Sequence, residues 1–149
     1  MAKYSSELLL KLIVNKKQTI NFTNIRLSSL LANTLDIRIV NKFVKSAIDN
    51  QIIKIIGGKQ IFSYLDIRDA ASGIISLLSV DPKSWNEVYN LGSDKRYDIL
   101  EISEIVSDVA KDYIGKSVNI EVEEKDIVLD IGMDSSMFYK EARWMPRYS

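Results

Sequence analysis

The chain contains no cysteine and no histidine. Without cysteine there is no disulfide framework, no thiolate nucleophile and no cysteine-rich zinc site. Without histidine the Ser-His-Asp triad, the Cys-His dyad and imidazole metal sites fall away too, because each depends on a group that titrates near neutrality. Any chemistry must use Tyr, Lys, Ser or carboxylates. An excess of charge of one sign is also lacking: 20 basic residues balance 20 acidic ones, so no global field draws the chain to nucleic acid or to an anionic membrane. The apolar run near the start, Leu8 to Val14, is interrupted by Lys11. It has neither the length of a membrane span nor a cleavage site, and the expectation is a soluble, cytoplasmic protein. Two prolines and six glycines are too few for a linker or a collagen-like chain.

What remains is an ordinary globular composition, 46% hydrophobic and 27% charged over 149 residues, which predicts a single unit spanning 1–149. Ala2 to Lys16, rich in Leu and Lys, predicts a largely buried helix. Thr19 to Leu27 turns to β-branched and aromatic residues with a shift of phase and predicts a strand, with or without a bulge. Phe43, Val44, Ala47 and Ile48 recur at helical spacing between Asn41 and Asn50. Ile52 to Ile56 and Gln60 to Ile67, joined across Gly57-Gly58, predict a hairpin. A third helix begins at Asp66 or Ile67 and closes before Asp81-Pro82, and Glu87 to Leu91 predicts a short strand. Asp98 stands three residues before Glu101 in capping-box spacing, opening a stripe of apolar residues that ends at Gly115. Val118, Ile120 and Val122 alternate with polar residues as a half-exposed strand, and a last helix runs from about Ser135 to Ala142. Helices between strands predict an α/β or α+β fold with parallel pairing.

Several phrases resemble, in order, the second half of the extended short-chain dehydrogenase/reductases, the NAD-dependent sugar-nucleotide epimerases and dehydratases. Ala2-Lys3 with Glu7 resembles the helix that carries the catalytic lysine, and Ile25-Arg26-Leu27 the next strand of the sheet. Tyr64-Leu65-Asp66-Ile67-Arg68-Asp69-Ala70-Ala71 is similar to the family's hydrophobic-Val-x-Asp-Val-Ala phrase, and Val88-Tyr89-Asn90-Leu91-Gly92 to its Tyr-Asn-hydrophobic-Gly strand end. Asp134-Ser135-Ser136 with Trp144 and Pro146 looks like the closing region. The resemblance implies the C-terminal part of a Rossmann-like NAD(P)-binding fold, α/β in class, with the small α+β substrate-binding region. It further implies a nucleotide-sugar substrate, and NAD(P) in an intact parent.

Parts of the family's pattern are absent. A dinucleotide site needs a glycine-rich loop at a helix start, where backbone N–H groups meet the pyrophosphate. The close pair Gly57-Gly58 is not placed for one. The catalytic tyrosine should lie four residues before the lysine, ahead of Met1, and none of the seven tyrosines has a lysine four residues later. The expectation is a chain that resembles the C-terminal half of such an enzyme, binds no cofactor alone, is inactive alone, and self-associates or pairs with an N-terminal half.

Within the resemblance Lys3 would contact the nicotinamide ribose and support the tyrosine, against its reading as a solvated lysine in a first helical turn. Ser29 stands where the family often has an asparagine near the substrate phosphates, and Ser28 precedes it. Phe62 replaces an arginine that would grip the diphosphate. Asn90 can bind substrate or satisfy a turn, and Asp69 can cap a helix start. A second arginine of the family would fall near Glu123 or Glu124, in an acidic run from Glu121 to Asp126 that reads as a solvated strand edge. Trp85, Trp144, Tyr113 and Phe138 read as core or surface anchors. Two alternatives follow from these departures: a non-catalytic relic or interaction module that keeps the scaffold, or a reductase whose substrate has no diphosphate.

Overall fold

The computed structural model describes residues 2–17, 20–34 and 38–149, without the side chains of Asn15 and Lys17. Five helices are present among these: α1 (Ala2–Lys17), α2 (Ile39–Ile48), α3 (Ile67–Leu78), α4 (Ile99–Ile114) and α5 (Ser136–Ala142). The strands are β1 (Asn24–Leu27), β2 (Ser29–Leu31), β3 (Ile53–Ile56), β4 (Ile61–Phe62), β5 (Tyr64–Asp66), β6 (Val88–Leu91), β7 (Tyr97–Asp98), β8 (Ile120–Glu123) and β9 (Asp130–Ile131).

Parallel pairing dominates, as helices between strands require. β1 runs beside β6 from Asn24 opposite Val88 to Leu27 opposite Leu91. After Ser28, β2 takes β5 as its partner, with Ser29 opposite Tyr64. β3 pairs with β8, and β4 lies between β7, antiparallel, and β9, parallel. The class is therefore α/β, as expected. Of the strand expected from Thr19, the second half pairs, beginning at Asn24; the shift of phase after Phe22 separates it from the first half, and Thr19 itself lies outside the described residues.

The hairpin across Gly57-Gly58 does not form. β3 and β4 belong to different sheets. Gly57 and Gly58 both have positive φ, 91° and 105°, and the chain folds back onto the side chain of Gln60. That buried amide accepts from Gly58 N–H at 2.8 Å and donates to Ile56 C=O at 2.7 Å. A Cβ on Gly57 would stand 2.7 Å from Gln60 Nε2. The glycine pair therefore builds a bend closed by a side chain, which delivers β4 to new partners.

Two apolar clusters hold the elements. In one, Phe43 and Ala47 of α2 and Ile102, Val106 and Ala110 of α4 cover Ile53 and Ile55 of β3. In the other, Ala70 and Leu77 of α3 and Phe138 and Ala142 of α5 pack on Leu65, Tyr89 and Leu91. α4 begins with the expected capping box: Asp98 accepts from Glu101 N–H, and Glu101 accepts from Asp98 N–H at 2.7 Å. Gly115 closes it in the left-handed conformation, φ 69°. Asp98→Ala is expected to cost about 1 kcal/mol through the lost cap, read as a lower urea midpoint.

α1 corrects a second expectation. It is a helix, but not a largely buried one. Val14 is buried, while Leu8, Leu9, Leu12 and Ile13 are between 46% and 62% exposed. Its apolar residues are spread around the cylinder, so only the face carrying Glu7 and Val14 meets the rest of the chain. Two ion pairs hold that face, Glu7 with Arg26 and Lys11 with Glu87, both at 2.7 Å.

Candidate functional site

In open parallel sheets ligands bind beyond the carboxyl ends of the strands. Here β1 and β6 end side by side, and the chain leaves them through Ser28 and through Gly92-Ser93. Ser28 N–H donates to Leu91 C=O at 3.0 Å, which keeps the two exits together. A Cβ on Gly92 would lie 3.0 Å from the Ser28 side chain and 3.4 Å from Ser135 Oγ. Glycine is required there by close approach. Tyr139 Oη donates to Gly92 C=O at 2.6 Å, and Ser63 Oγ to Ser93 C=O at 2.6 Å. Asn90 Nδ2 donates to Asp134 C=O at 3.2 Å, tying the strand end to the turn before α5.

The backbone at this exit is thus well satisfied, yet Ser28 Oγ and Ser135 Oγ have no hydrogen-bond partner among the described residues. Each hydroxyl can donate one bond and accept two. Both oxygens are enclosed beside Gly92, just inside the end of the sheet where a substrate is expected.

The structure brings Ser28, Ser29 and Asn90 together at this exit, since Ser28 bonds β6 and Ser29 opens β2. It separates Phe62 from them. Phe62 lies on β4, half-buried, its ring stacked on Tyr64 at 5.9 Å and 23° and packed on the α2–α4 cluster. Lys3 lies in the first turn of α1, where an open groove of about 770 Å³ runs between α1 and β1; Lys3, Glu7, Arg26 and Leu27 are among its walls. Leu27 is the last residue of β1, so Lys3 flanks the same end of the sheet. Glu7 is bound by Arg26 through two bonds, at 2.7 and 3.0 Å.

Hydrogen bonding to the Arg26 guanidinium holds the Glu7 carboxyl below its ordinary range, and Arg26 is raised in turn. The folded carboxyl binds its proton less readily than the unfolded one. The pair therefore supports folding above the ordinary glutamate range, and that support is lost as pH falls through the lowered value. Arg26→Gln is expected to make acid unfolding less steep in this window, measured as urea midpoints across pH.

The buried tyrosines are not bases. Burial pushes Tyr64 up to about 12. Burial also raises Tyr139, reinforced by Asp94, and raises Tyr89, reinforced by its bond to Glu141. All three hold their protons at neutral pH; Tyr89 donates to Glu141 and Tyr139 to Gly92 C=O, while the Tyr64 hydroxyl has no partner among the described residues.

Neither helix that starts directly from a strand end offers a dinucleotide a free N-terminus. Two helices start directly from strand ends, and their own carboxylates fill both N-termini: Asp66 accepts from Arg68 N–H on α3, and Asp98 from Glu101 N–H on α4. A pyrophosphate would find those N–H groups taken and a negative charge in place. Among the described residues no group of His, Cys, Asp or Glu is arranged to hold a metal ion, and no helix is long and apolar enough to cross a membrane.

Two residues at the exit were not singled out from the sequence. Ser135 and Tyr139 stand four apart, on one face of α5 and the turn before it. Asp69, read as a helix cap, serves another segment. Buried to 1% exposure, its carboxylate accepts the N–H groups of Arg147, Tyr148 and Ser149 at 2.9, 2.8 and 3.1 Å, and the Ser149 hydroxyl at 3.1 Å. The cap of α3 is Asp66.

No protein-family model and no curated protein matches the chain. Solved structures do. UDP-glucose 4-epimerase of Thermotoga maritima, solved with UDP-glucose, is 18% identical, with a TM-score of 0.80 over 99% of this chain and 48% of its own. UDP-N-acetylglucosamine 4-epimerase of Bacillus cereus is 20% identical, with a TM-score of 0.81 over 99% of this chain and 47% of its own. UDP-glucuronic acid 4-epimerase of Bacillus cereus, solved with UDP-glucuronic acid and NAD, is 18% identical, with a TM-score of 0.73 over 92% and 44%. The chain spans less than half the length of these proteins. At such identities the likeness is one of fold, and the chain has the fold of the C-terminal half of the sugar-nucleotide epimerases, in agreement with the phrases that first suggested it.

Proposed function

We propose that the chain is the substrate-binding half of an NAD-dependent nucleotide-sugar epimerase or dehydratase, an isomerase-type activity serving cytoplasmic synthesis of surface-polysaccharide sugars. It works only with a dinucleotide-binding half. The observation that supports this reading most is a fold that matches epimerases over 99% of the chain, with the enclosed Ser28 and Ser135 hydroxyls left without a partner at the exit of β1 and β6 around Gly92. Ser28, Ser29 and Asn90 would meet the nucleotide sugar, and Lys3 would serve the catalytic and cofactor side from α1. Phe62, packed on the α2–α4 cluster, would leave the place of the family's guanidinium without a cation. Alone, the chain is inactive and binds no NAD(P), since both strand-end helix starts are closed by Asp66 and Asp98. Titration of UDP-glucose into the isotope-labelled chain is expected to move the amides of Ser28, Ser29 and Asn90. Shifts confined to other residues would overturn the assignment.

A second reading rests on Phe62 and the exposed carboxylates of β8, Glu121 and Glu123. These suit a relic or interaction module, or a reductase of a substrate without a diphosphate. The module reading gains if UDP-glucose leaves every amide unmoved. In either case β1 lacks a second neighbouring strand among the described residues and the outer face of α1 is apolar, so the purified chain is expected to self-associate through them. A monodisperse monomer by light scattering would contradict this.

A further inference from the structure

Beyond the exit around Gly92, a second open groove of about 820 Å³ lies between α3, α5 and the last residues of the chain, lined among others by Ser76, Lys140, Arg143, Trp144, Pro146 and Arg147. We infer that this groove binds a phosphorylated small molecule through a diphosphate or comparable polyanionic group. It contains none of Lys3, Ser28, Ser29, Phe62 or Asn90.

Of the four other arginines, Arg26, Arg68 and Arg96 each meet a carboxylate, Glu7, Asp66 and Asp130 respectively, and Arg38 meets none among the described residues. Arg143, Arg147 and Lys140 meet none, and no carboxylate lines the groove. Glu141, the acid nearest in sequence, is engaged by the Asn86 amide and the Tyr89 hydroxyl. In a chain of net charge zero a local excess of three cations facing one concavity is not an average effect of composition.

A helix end offers a blander role for two of them, because Lys140 and Arg143 lie where the α5 dipole is negative. It does not account for Arg147, which follows Pro146 outside the helix. One carbonyl of the α5 terminus is already served: the N–H groups of Arg143 and Trp144 both donate to Tyr139 C=O.

The frame carrying the cations is fixed before any ligand arrives. Trp144 is buried, its Nε1–H donates to Ser72 Oγ at 2.9 Å, and its ring meets Phe138 edge-on at 5.7 Å. Arg147 is held through its backbone N–H on Asp69 at 2.9 Å. Arg143 takes the left-handed conformation, φ 50°, which turns the chain between them. Guanidinium forks suit phosphate oxygens in paired bonds, and a preset backbone reduces the ordering cost of binding.

Inorganic pyrophosphate and UDP, each titrated by calorimetry at constant ionic strength and followed by the indole N–H signals of Trp144 and Trp85, test the site. Saturable binding that moves the Trp144 signal and leaves Trp85 in place is expected. Arg147→Gln with Lys140→Gln should weaken it by about tenfold or more, and Arg143→Asn, whose new residue tolerates the left-handed backbone, by a similar factor. Arg96→Gln should leave it unchanged. Binding of both probes assigns a nucleotide-borne diphosphate, and binding of pyrophosphate alone a free anion. Absence of saturable binding, or equal affinity in the groove variants and in Arg96→Gln, overturns the inference.

Discussion

Replacing Asp69 by alanine is expected to destabilise the chain by about 3 kcal/mol, because it strands several donors at once. In the native fold one buried carboxylate accepts three consecutive backbone N–H groups and one hydroxyl from the terminal segment. Charge-assisted bonds of this kind are the stronger ones, and donors left without an acceptor cost more than the bonds themselves contribute. The terminal segment is also clasped from outside: Arg68 lies over the Tyr148 ring at 3.8 Å, and Ser149 Oγ accepts from Asp66 N–H at 2.8 Å. Asp69→Asn keeps the size and loses the charge, and should fall between wild type and alanine. Urea unfolding with an unchanged slope and a lowered midpoint is the expected record. Hydrogen exchange should show the amides of Arg147 to Ser149 protected in the wild type and open in the alanine variant. Unaltered protection would refute the clasp.

Phe138→Ala is expected to cost about 3 to 5 kcal/mol, in the range of a large buried aromatic truncated inside a packed core. Phe138 is fully buried, and its ring meets both Tyr89 and Trp144 edge-on, at 5.6 and 5.7 Å and 88° each. Such contacts add to the area term. The consequence reaches the site. α5 carries Tyr139, whose hydroxyl holds Gly92 C=O, and is preceded by Ser135 beside Gly92. Loosening Phe138 therefore loosens the exit of β6 and the groove of Trp144 together. Phe138→Leu should recover most of the stability. If both substitutions leave thermal unfolding unchanged, the second apolar cluster does not hold α5 as described.

How much of this was legible in the sequence follows from which interactions are local. α4 was legible to the residue because its capping box, stripe and closing glycine lie within one segment, and Asp98 and Glu101 do bond reciprocally. α3 and β6 were legible for the same reason. A glycine pair between apolar runs fits a two-strand turn equally well, so the expected hairpin gives way to a bend that the Gln60 amide closes through its side chain. β4, β7 and β9 have two residues each, too few for any period to register. A helix apolar on all sides suggests a core position, but in α1 only the face of Val14 finds cover among the described residues. Of the aromatic anchors, Phe138 and Trp144 are core, while Tyr113 is 86% exposed on the outer side of α4. At the candidate site, Ser28 and Asn90 were marked by resemblance, yet the pairing of Ser28 with Ser135 across Gly92 joins residues more than a hundred positions apart and has no sequence signature. A separation of 78 to 80 positions likewise hid the partnership of Asp69 with the terminal amides.

The measurement that tests the central claim most directly is calorimetric titration of NAD into this chain alone and together with a dinucleotide-binding half that supplies the glycine-rich loop. The account predicts no saturable heat from the chain alone, whose strand-end helix starts are closed by Asp66 and Asp98, and saturable binding once the other half is present. Tight binding by the chain alone, or none in either case, would contradict it.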